Sequence, residues 1–311
     1  MQENLAFIFP GQGSQAVGML SEFADNEIVQ ATFKEASDAI GYDMWQLISE
    51  DPNGQLNQTD YTQPALLTAS VAMWRLLQSE TKAQPKAVAG HSLGEYSALV
   101  CAGVLSLADA VVLVKKRGEF MQASVPAGVG AMYAIIGLAD DEIIKACEQA
   151  AQGEVVSAVN FNSPGQVVIA GHKAAVERAG TLCKEAGAKR ALPLPVSVPS
   201  HCALMKDAAD KLAIELENVT FNTPQIDVIN NVDVSIENSA QAIKTALIKQ
   251  LYSPVRWTET VEALAKSGVE NLVEAGPGKV LQGLIKRIDK TLTCVPANTQ
   301  ATLAQAIELV K

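Results

Sequence analysis

The sequence predicts an α/β protein in two parts: a large α/β-hydrolase-like parallel-sheet domain and a small ferredoxin-like (βαββαβ) subdomain inserted into it. Three observations carry this reading. Residues 86–96 run from an apolar stretch through Gly90-His91-Ser92-Leu93-Gly94 into a helical pattern, the succession of strand, sharp turn and helix. Residues 132–194 give strand, helix, strand, strand, helix, strand. Beyond them the strand–helix alternation of the first 125 residues resumes, as expected if two outer segments build one parallel sheet. The expected division is 1–127 with 197–311 for the large domain and 128–196 for the small one.

Composition narrows the function classes. With 311 residues the chain can bury a large core, and 48% apolar with 19% charged residues is ordinary for a globular protein. A net charge of −10 argues against a general binder of nucleic acid or anionic membrane. The first residues lack a basic n-region, and no apolar run approaches the ~18 residues that span a bilayer. The five cysteines are odd in number and form no Cys-x-x-Cys pair. A reduced, cytoplasmic protein without a structural metal is therefore expected.

Taken in order, residues 5–9 read as a buried strand closed by Pro10. Gly11-Gln12-Gly13-Ser14-Gln15 is then a flexible loop before a helical stretch at 17–23. The glycine spacing does not fit a dinucleotide fingerprint, and no Gly-Lys-Ser/Thr follows, so a phosphate-binding loop is not expected. A loop leaving a strand end can still offer a backbone N–H or the Gln12 amide to a site. Residues 27–40 and 63–80 read as helices, the second opened by Pro64 in its first turn. Ser106 reads as the N-cap of a helix over 107–123.

The small subdomain comes next, with strands at 132–136, 155–159, 166–170 and 189–194 and helices at 140–151 and 173–186. The asparagines in Asn160-Phe161-Asn162-Ser163-Pro164-Gly165 have an ordinary explanation as the turn between its middle strands. An extended, proline-stiffened stretch at 193–201 leads to a helix at 203–216. Strands at 226–229, 271–274 and 291–295 and helices at 240–250, 258–266, 279–288 and 303–310 complete the chain.

Ser92 is the candidate nucleophile. The glycines on either side leave room for a strained, exposed turn, and the N–H groups of the helix start suit a developing oxyanion. A glycine-rich strand-to-helix turn without chemistry is the alternative for the motif alone. A serine nucleophile needs a base. His91 precedes Ser92 and points to the other face of a strand end, which suits a packing role. His172 starts a helix of the small subdomain and is expected to be exposed. His201 remains, by elimination, on a stiff loop where the subdomain rejoins the main domain. No acidic residue stands out to orient it, so a triad and a dyad steadied by a backbone carbonyl both stay open.

Arg117 falls at the edge of the apolar stripe of its helix, whereas Lys115 and Lys116 do not. A guanidinium keeps its proton, so on a buried face it must find an anion. Periodicity alone favours a structural salt bridge; the alternative is a substrate carboxylate held bidentately.

With Phe9-Pro10-Gly11-Gln12-Gly13-Ser14-Gln15, Gly90-His91-Ser92-Leu93-Gly94-Glu95-Tyr96, Arg117 and Val198-Pro199-Ser200-His201 in hand, the chain resembles the malonyl-CoA:acyl carrier protein transacylases, which load malonyl groups for bacterial type II fatty acid synthesis. Residues 250–257 and 274–278 look like later motifs of the same family, so the resemblance covers the whole chain. It implies a ping-pong transfer from malonyl-CoA to the phosphopantetheine thiol of acyl carrier protein. Ser92 would be the nucleophile, His201 the base, and the backbone N–H groups of Gln12 and Leu93 the oxyanion hole. Arg117 would hold the substrate carboxylate and the Gln250 main-chain carbonyl would orient His201. It implies no cofactor, since the CoA thioester is substrate and phosphopantetheine belongs to the partner, and no metal. A monomer is expected.

In related polyketide acyltransferases an aliphatic residue after the serine accompanies malonyl, which fits Leu93. Their bulky phenylalanine before the histidine is replaced here by Ser200, leaving Val198 or Met121 to set the pocket wall. The acidic carrier requires a local basic patch, for which Lys189, Arg190, Lys279, Lys286 and Arg287 are candidates. Two other functions stay open at this stage: a serine thioesterase or esterase with the same Ser–His pair, and a non-catalytic carrier-binding subunit.

Overall fold

Strand β1 (Gln2–Phe9) alternates Leu5, Phe7 and Phe9 with Ala6 and Ile8, and all five are buried, so both of its faces meet apolar layers. The computed structural model describes residues 1–196 and 198–311; Ser197, where the returning segment of the large domain was expected to begin, lies outside the described residues. After β1 come α1 (Glu27–Ile40), α2 (Met44–Ser49), α3 (Thr59–Thr81), β2 (Pro85–Gly90), α4 (Gly94–Cys101) and α5 (Leu107–Ser124). The stretch at 130–193 holds β3 (Gly130–Ile136), α6 (Asp140–Ala151), β4 (Val156–Ser163), β5 (Gln166–His172), α7 (Lys173–Glu185) and β6 (Arg190–Pro193). The chain returns through α8 (Lys206–Glu217), β7 (Asp227–Ile229), α9 (Ala240–Gln250) and α10 (Trp257–Lys266). It ends with β8 (Asn271–Ala275), α11 (Val280–Ile288), β9 (Thr293–Ala297) and α12 (Gln300–Val310).

Five parallel strands in the order β7-β2-β1-β8-β9 form the main sheet, so strands from both outer segments lie side by side. Leu5, Phe7, Phe9, Val88 and Val273 face a core shared with α1, α3, α5 and α8. Ala6, Ile8, Ala87, Ala89 and Leu272 face a second core under α10 and α11. The carboxyl ends of β1, β2, β7 and β8 all open on one side, the edge of a parallel sheet where sites gather.

The small sheet is antiparallel, in the order β4-β5-β3-β6, with α6 and α7 over one face. Its other face, carrying Met132, Val159, Val168 and Ala170, packs with Cys202 of the returning chain. Strand β4 is tied to the large domain by Phe161 N–H on the Val255 carbonyl (3.0 Å) and Val255 N–H on the Val159 carbonyl (2.8 Å).

Four local expectations are corrected. Residues 17–23 are turns and a short 3-10 segment (Ser21–Phe23), because Gly18 and Leu20 take left-handed φ values of 83° and 61°. Helix α2, capped by Asp43 on the Gln46 N–H, was not anticipated; α3 begins at Thr59, so Pro64 lies inside it. Strand β4 runs on to Ser163, and the turn to β5 is Pro164-Gly165 alone; Asn160 and Asn162 are therefore strand residues, beside bulges. His172 is half-buried rather than exposed, its Nδ1 accepting the Val155 N–H at 2.9 Å.

Candidate active site

Ser92 follows β2 with φ 52°, a left-handed backbone that costs a non-glycine residue energy. The turn closes only because Gly90 and Gly94 lack side chains. A Cβ on Gly90 would lie 1.9 Å from the Gly94 backbone, and one on Gly94 would lie 2.1 Å from the Phe9 carbonyl oxygen. Gly94 N–H on the His91 carbonyl (2.9 Å) and Glu95 N–H on the Ser92 carbonyl (3.0 Å) start α4. Among the described residues the N–H groups of Leu93 and Gln12 donate to no protein partner. Two donors are thus left over beside the serine, at a helix start and in the loop after β1.

His201 reaches Ser92 from the returning chain, with Nε2 2.8 Å from Oγ. Its Nδ1 stands 2.7 Å from the Gln250 main-chain carbonyl, which fixes the tautomer: Nδ1 carries the proton and Nε2 can accept one. A backbone carbonyl, not a carboxylate, is therefore the third member of the line. His201 is 3% exposed, and burial, followed by the nearby Arg117 guanidinium, pushes it down to about 3. At neutral pH the imidazole is uncharged and ready to act as a base. His91 does not reach the hydroxyl; its Nε2 bonds Asn162 Oδ1 at 2.8 Å and its ring leans on Trp257, the packing role expected of it.

Arg117 is fully buried, and no carboxylate lies within salt-bridge distance of it among the described residues, so the structural salt bridge that periodicity favours is not there. Two side-chain amide oxygens occupy its donors instead, Gln63 Oε1 at 2.7 Å and Gln250 Oε1 at 3.0 Å. Nη2 also lies 3.4 Å from Ser92 Oγ, Nε has no hydrogen-bond partner among the described residues, and the guanidinium sits over the Tyr96 ring. A cation beside the Ser92 hydroxyl whose hydrogen-bond acceptors, among the described residues, are all neutral can receive an anion.

The cleft above these groups holds about 500 Å³ and is lined by Gln12, Ser92, Asn160, Val198, Ser200 and His201, among others. Arg117 lies beneath it, behind Ser92. Val198 does form part of the wall, whereas Met121 is buried with its sulfur against the Gln63 amide. Sequence reading missed Gln63, Glu95, Asn162 and Asn231, which meet the site residues only through the fold. Glu95 is buried and raised by that burial to about 7. Its Oε2 accepts the Asn231 N–H (2.9 Å) and the Gln250 amide (2.8 Å). Among the described residues no group of three His, Cys, Asp or Glu side chains could hold a metal ion, and no helix is long and apolar enough to cross a membrane.

Comparison with known proteins gives the family. The model of the family described as "Acyl transferase domain" matches residues 6–305. The malonyl CoA-acyl carrier protein transacylase of Salmonella typhimurium is 65% identical over 97% of this chain and 98% of its own. That of Escherichia coli K12 is 64% identical over 98% and 99%. Among solved structures, an acyl carrier protein S-malonyltransferase from Vibrio cholerae superposes with a TM-score of 0.95 at 65% identity, covering 97% of this chain and 99% of that one. A malonyl-transacylase in complex with its type II PKS acyl carrier protein gives 0.96 at 60% identity, covering 98% and 99%. The chain belongs to the acyl transferase domain family and, within it, to the malonyl-CoA:acyl carrier protein transacylases.

Proposed function

We infer that this chain moves the malonyl group of malonyl-CoA to the phosphopantetheine thiol of acyl carrier protein, for fatty acid biosynthesis, through a malonyl ester on Ser92. The observation that carries the covalent route is the line from Ser92 Oγ through His201 to the Gln250 carbonyl, laid beside a buried arginine that among the described residues has no carboxylate within salt-bridge distance. Ser92 Oγ attacks the thioester carbonyl while His201 Nε2 takes its proton. The N–H groups of Leu93 and Gln12 receive the oxyanion, and the C–S bond breaks as His201 returns the proton to the CoA sulfur. The carrier thiol then attacks the ester, with His201 again the base.

Arg117 receives the malonyl carboxylate. Because Gln63 and Gln250 hold its donors in the free protein, one amide oxygen gives way as the carboxylate arrives. A bound carboxylate also offsets the positive charge that holds His201 down, so the imidazolium formed during attack is stabilised once substrate is seated. No metal or cofactor is needed for these steps. A cytoplasmic monomer divided at about 127 and 197 is part of the same proposal.

For the carrier, the sheet brings basic residues together. Arg190 on β6 and Gln166 on β5 flank Ile136 of β3, and exposed Arg287 of α11 bonds the Gln166 side chain. Arg190, Lys189 and Arg287 thus border one edge where both domains meet, suited to an acidic partner. The test of the function is product analysis with malonyl-CoA and carrier. Equal release of CoA and formation of malonyl-carrier are expected. Malonate released at a rate independent of carrier would instead make the chain a thioesterase.

A further inference from the structure

The proposed nucleophile stands in a left-handed conformation at φ 52°, and that strain persists only if surrounding contacts over-determine it. Among the described residues the Ser92 N–H donates to no main-chain carbonyl. It donates to the side-chain oxygen of Asn231 at 2.7 Å. The other end of the same amide, Nδ2, donates to the Gly90 carbonyl at 2.7 Å. One planar side chain therefore joins the residue before and the residue after His91, as a pairing strand would, at the point where the β2 ladder stops. Asn231 is fully buried and follows β7, the neighbour of β2, so the clamp comes from a different segment of chain.

Its main chain ties it to the rest of the site. The Asn231 N–H donates to Glu95 Oε2 at 2.9 Å, and that oxygen also accepts the Gln250 amide at 2.8 Å. Gln250 in turn donates to the Ser92 carbonyl at 3.1 Å and accepts from Arg117. The two peptide planes that meet at Ser92 are thus both held, the one before it through its N–H by Asn231 and the one after it through its carbonyl by Gln250. Together they set the direction of Oγ toward His201, and the second sets that of the Leu93 N–H.

We propose that Asn231 is a positioning residue of this acyl transfer: its side-chain amide clamps the turn at Gly90 and Ser92 and holds the serine in its reactive conformation. The proposal rests on the reading of Ser92 as nucleophile. Asn231 touches no reacting atom and acts through the Ser92 backbone. Misplacing a reacting atom by about 1 Å costs on the order of 100-fold in rate, which sets the expected size of the effect.

The test is rapid-mixing acylation by malonyl-CoA, followed by intact mass, for wild type, Asn231→Ala and Asn231→Asp, with thermal melting of each. Asn231→Ala is expected to acylate about 100-fold more slowly, with KM for malonyl-CoA changed less than about threefold, since no substrate contact is lost. Asn231→Asp is the informative variant, being the same shape. Ionised, it accepts from Ser92 but repels the Gly90 carbonyl; protonated, its hydroxyl restores the missing donor. Divided by the wild-type rate at each pH, its acylation rate is expected to rise about tenfold from pH 8 to pH 5. The groups facing this position are Glu95, whose carboxylate binds its N–H, His91 between the clamped residues, and Arg256, whose N–H bonds its carbonyl. All three are present in wild type, and because Glu95 is coupled to a carboxylate at position 231, the same ratio is taken in a Glu95→Gln background, where the rise toward pH 5 is expected to persist.

A residue that served folding alone would change melting without changing that ratio. Wild-type rates in a folded Asn231→Ala, or a flat ratio for Asn231→Asp, overturn the proposal while leaving Ser92 as nucleophile. Failure of both variants to fold also overturns it, making Asn231 a folding residue. If wild type itself does not acylate, the reading of Ser92 falls and the proposal with it.

Discussion

Arg117 Nη2 lies 3.4 Å from the hydroxyl oxygen of Ser92, so a buried cation stands beside the serine proposed as nucleophile. Among the described residues its hydrogen-bond partners besides that oxygen are the Gln63 and Gln250 side chains, both uncharged. Burying a charge costs stability that two amide bonds, and the Glu95 carboxyl on the far side of Gln250, only partly offset. The arrangement makes sense if the counter-charge arrives with the acyl group, and stability and function then pull in opposite directions at this residue.

Arg117→Met should therefore fold at least as well as wild type, with Tm unchanged or about 2–4 °C higher, while its acylation by malonyl-CoA falls about 1000-fold. Calorimetry and single-turnover rates check the two halves. A Tm lower by more than about 5 °C would mean that the charge is well compensated in the free protein.

The acid limb of the rate profile follows from His201. Burial first, and then Arg117, push the imidazole down to about 3, so the free protein keeps a neutral base through most of the acidic range. The value of kcat/KM for malonyl-CoA should stay within about twofold from pH 7 to pH 5 as far as His201 sets it. Removing the guanidinium removes a charge that opposes imidazolium, so the acid limb of Arg117→Ala should move to higher pH. A limb near pH 6.5 in wild type would show a histidine that is not perturbed.

Glu95 gives a stability prediction with a definite sign. Burial raises it to about 7, above its value in the unfolded chain, so between the two values the folded state holds more protons. The stability it contributes is full below about pH 4 and is lost as pH rises through about 7. Urea titrations should show wild type losing on the order of 2–3 kcal/mol between pH 5 and pH 8 from this group. Glu95→Gln, whose amide oxygen still accepts from Asn231 and Gln250, should flatten that part of the curve. An identical slope in the variant would assign the loss to other groups, Glu274 first among them, since burial raises it in the same way.

Much of this could be read from the chain because the signals were local. The elbow was legible because Gly90 and Gly94 sit at fixed offsets from Ser92, and backbone meets backbone at both. The βαββαβ order was legible from residues 130–193 because each element keeps its own period. The line through His201 needed elimination among three histidines, and the missing acid proved to be the Gln250 carbonyl, which every residue possesses and no motif announces. Asn160 and Asn162 were misread because asparagines before Pro164-Gly165 suit a turn equally well, and only the register shows β4 continuing through them. Gln63 and Asn231 had no signature, and Glu95 stood in the elbow motif with no role attached. They matter through hydrogen bonds to residues 54, 155 and 139 positions away, and distance in sequence hides such contacts.

The basic edge formed by Lys189, Arg190 and Arg287 gives a kinetic split. Lys286→Glu with Arg287→Glu, on the exposed last turn of α11, should raise KM for carrier about tenfold and leave KM for malonyl-CoA unchanged, with the effect shrinking in high salt. An unchanged carrier KM would move the docking surface elsewhere.

The central claim is that Ser92 carries the malonyl group and Arg117 selects it. Intact mass after mixing with malonyl-CoA, without carrier, tests both. Wild type is expected to carry one malonyl group, Ser92→Ala none and Arg117→Ala far less, with little acetyl adduct on wild type from acetyl-CoA. Acetyl addition as ready as malonyl, or release of CoA with no adduct on any protein, would contradict it.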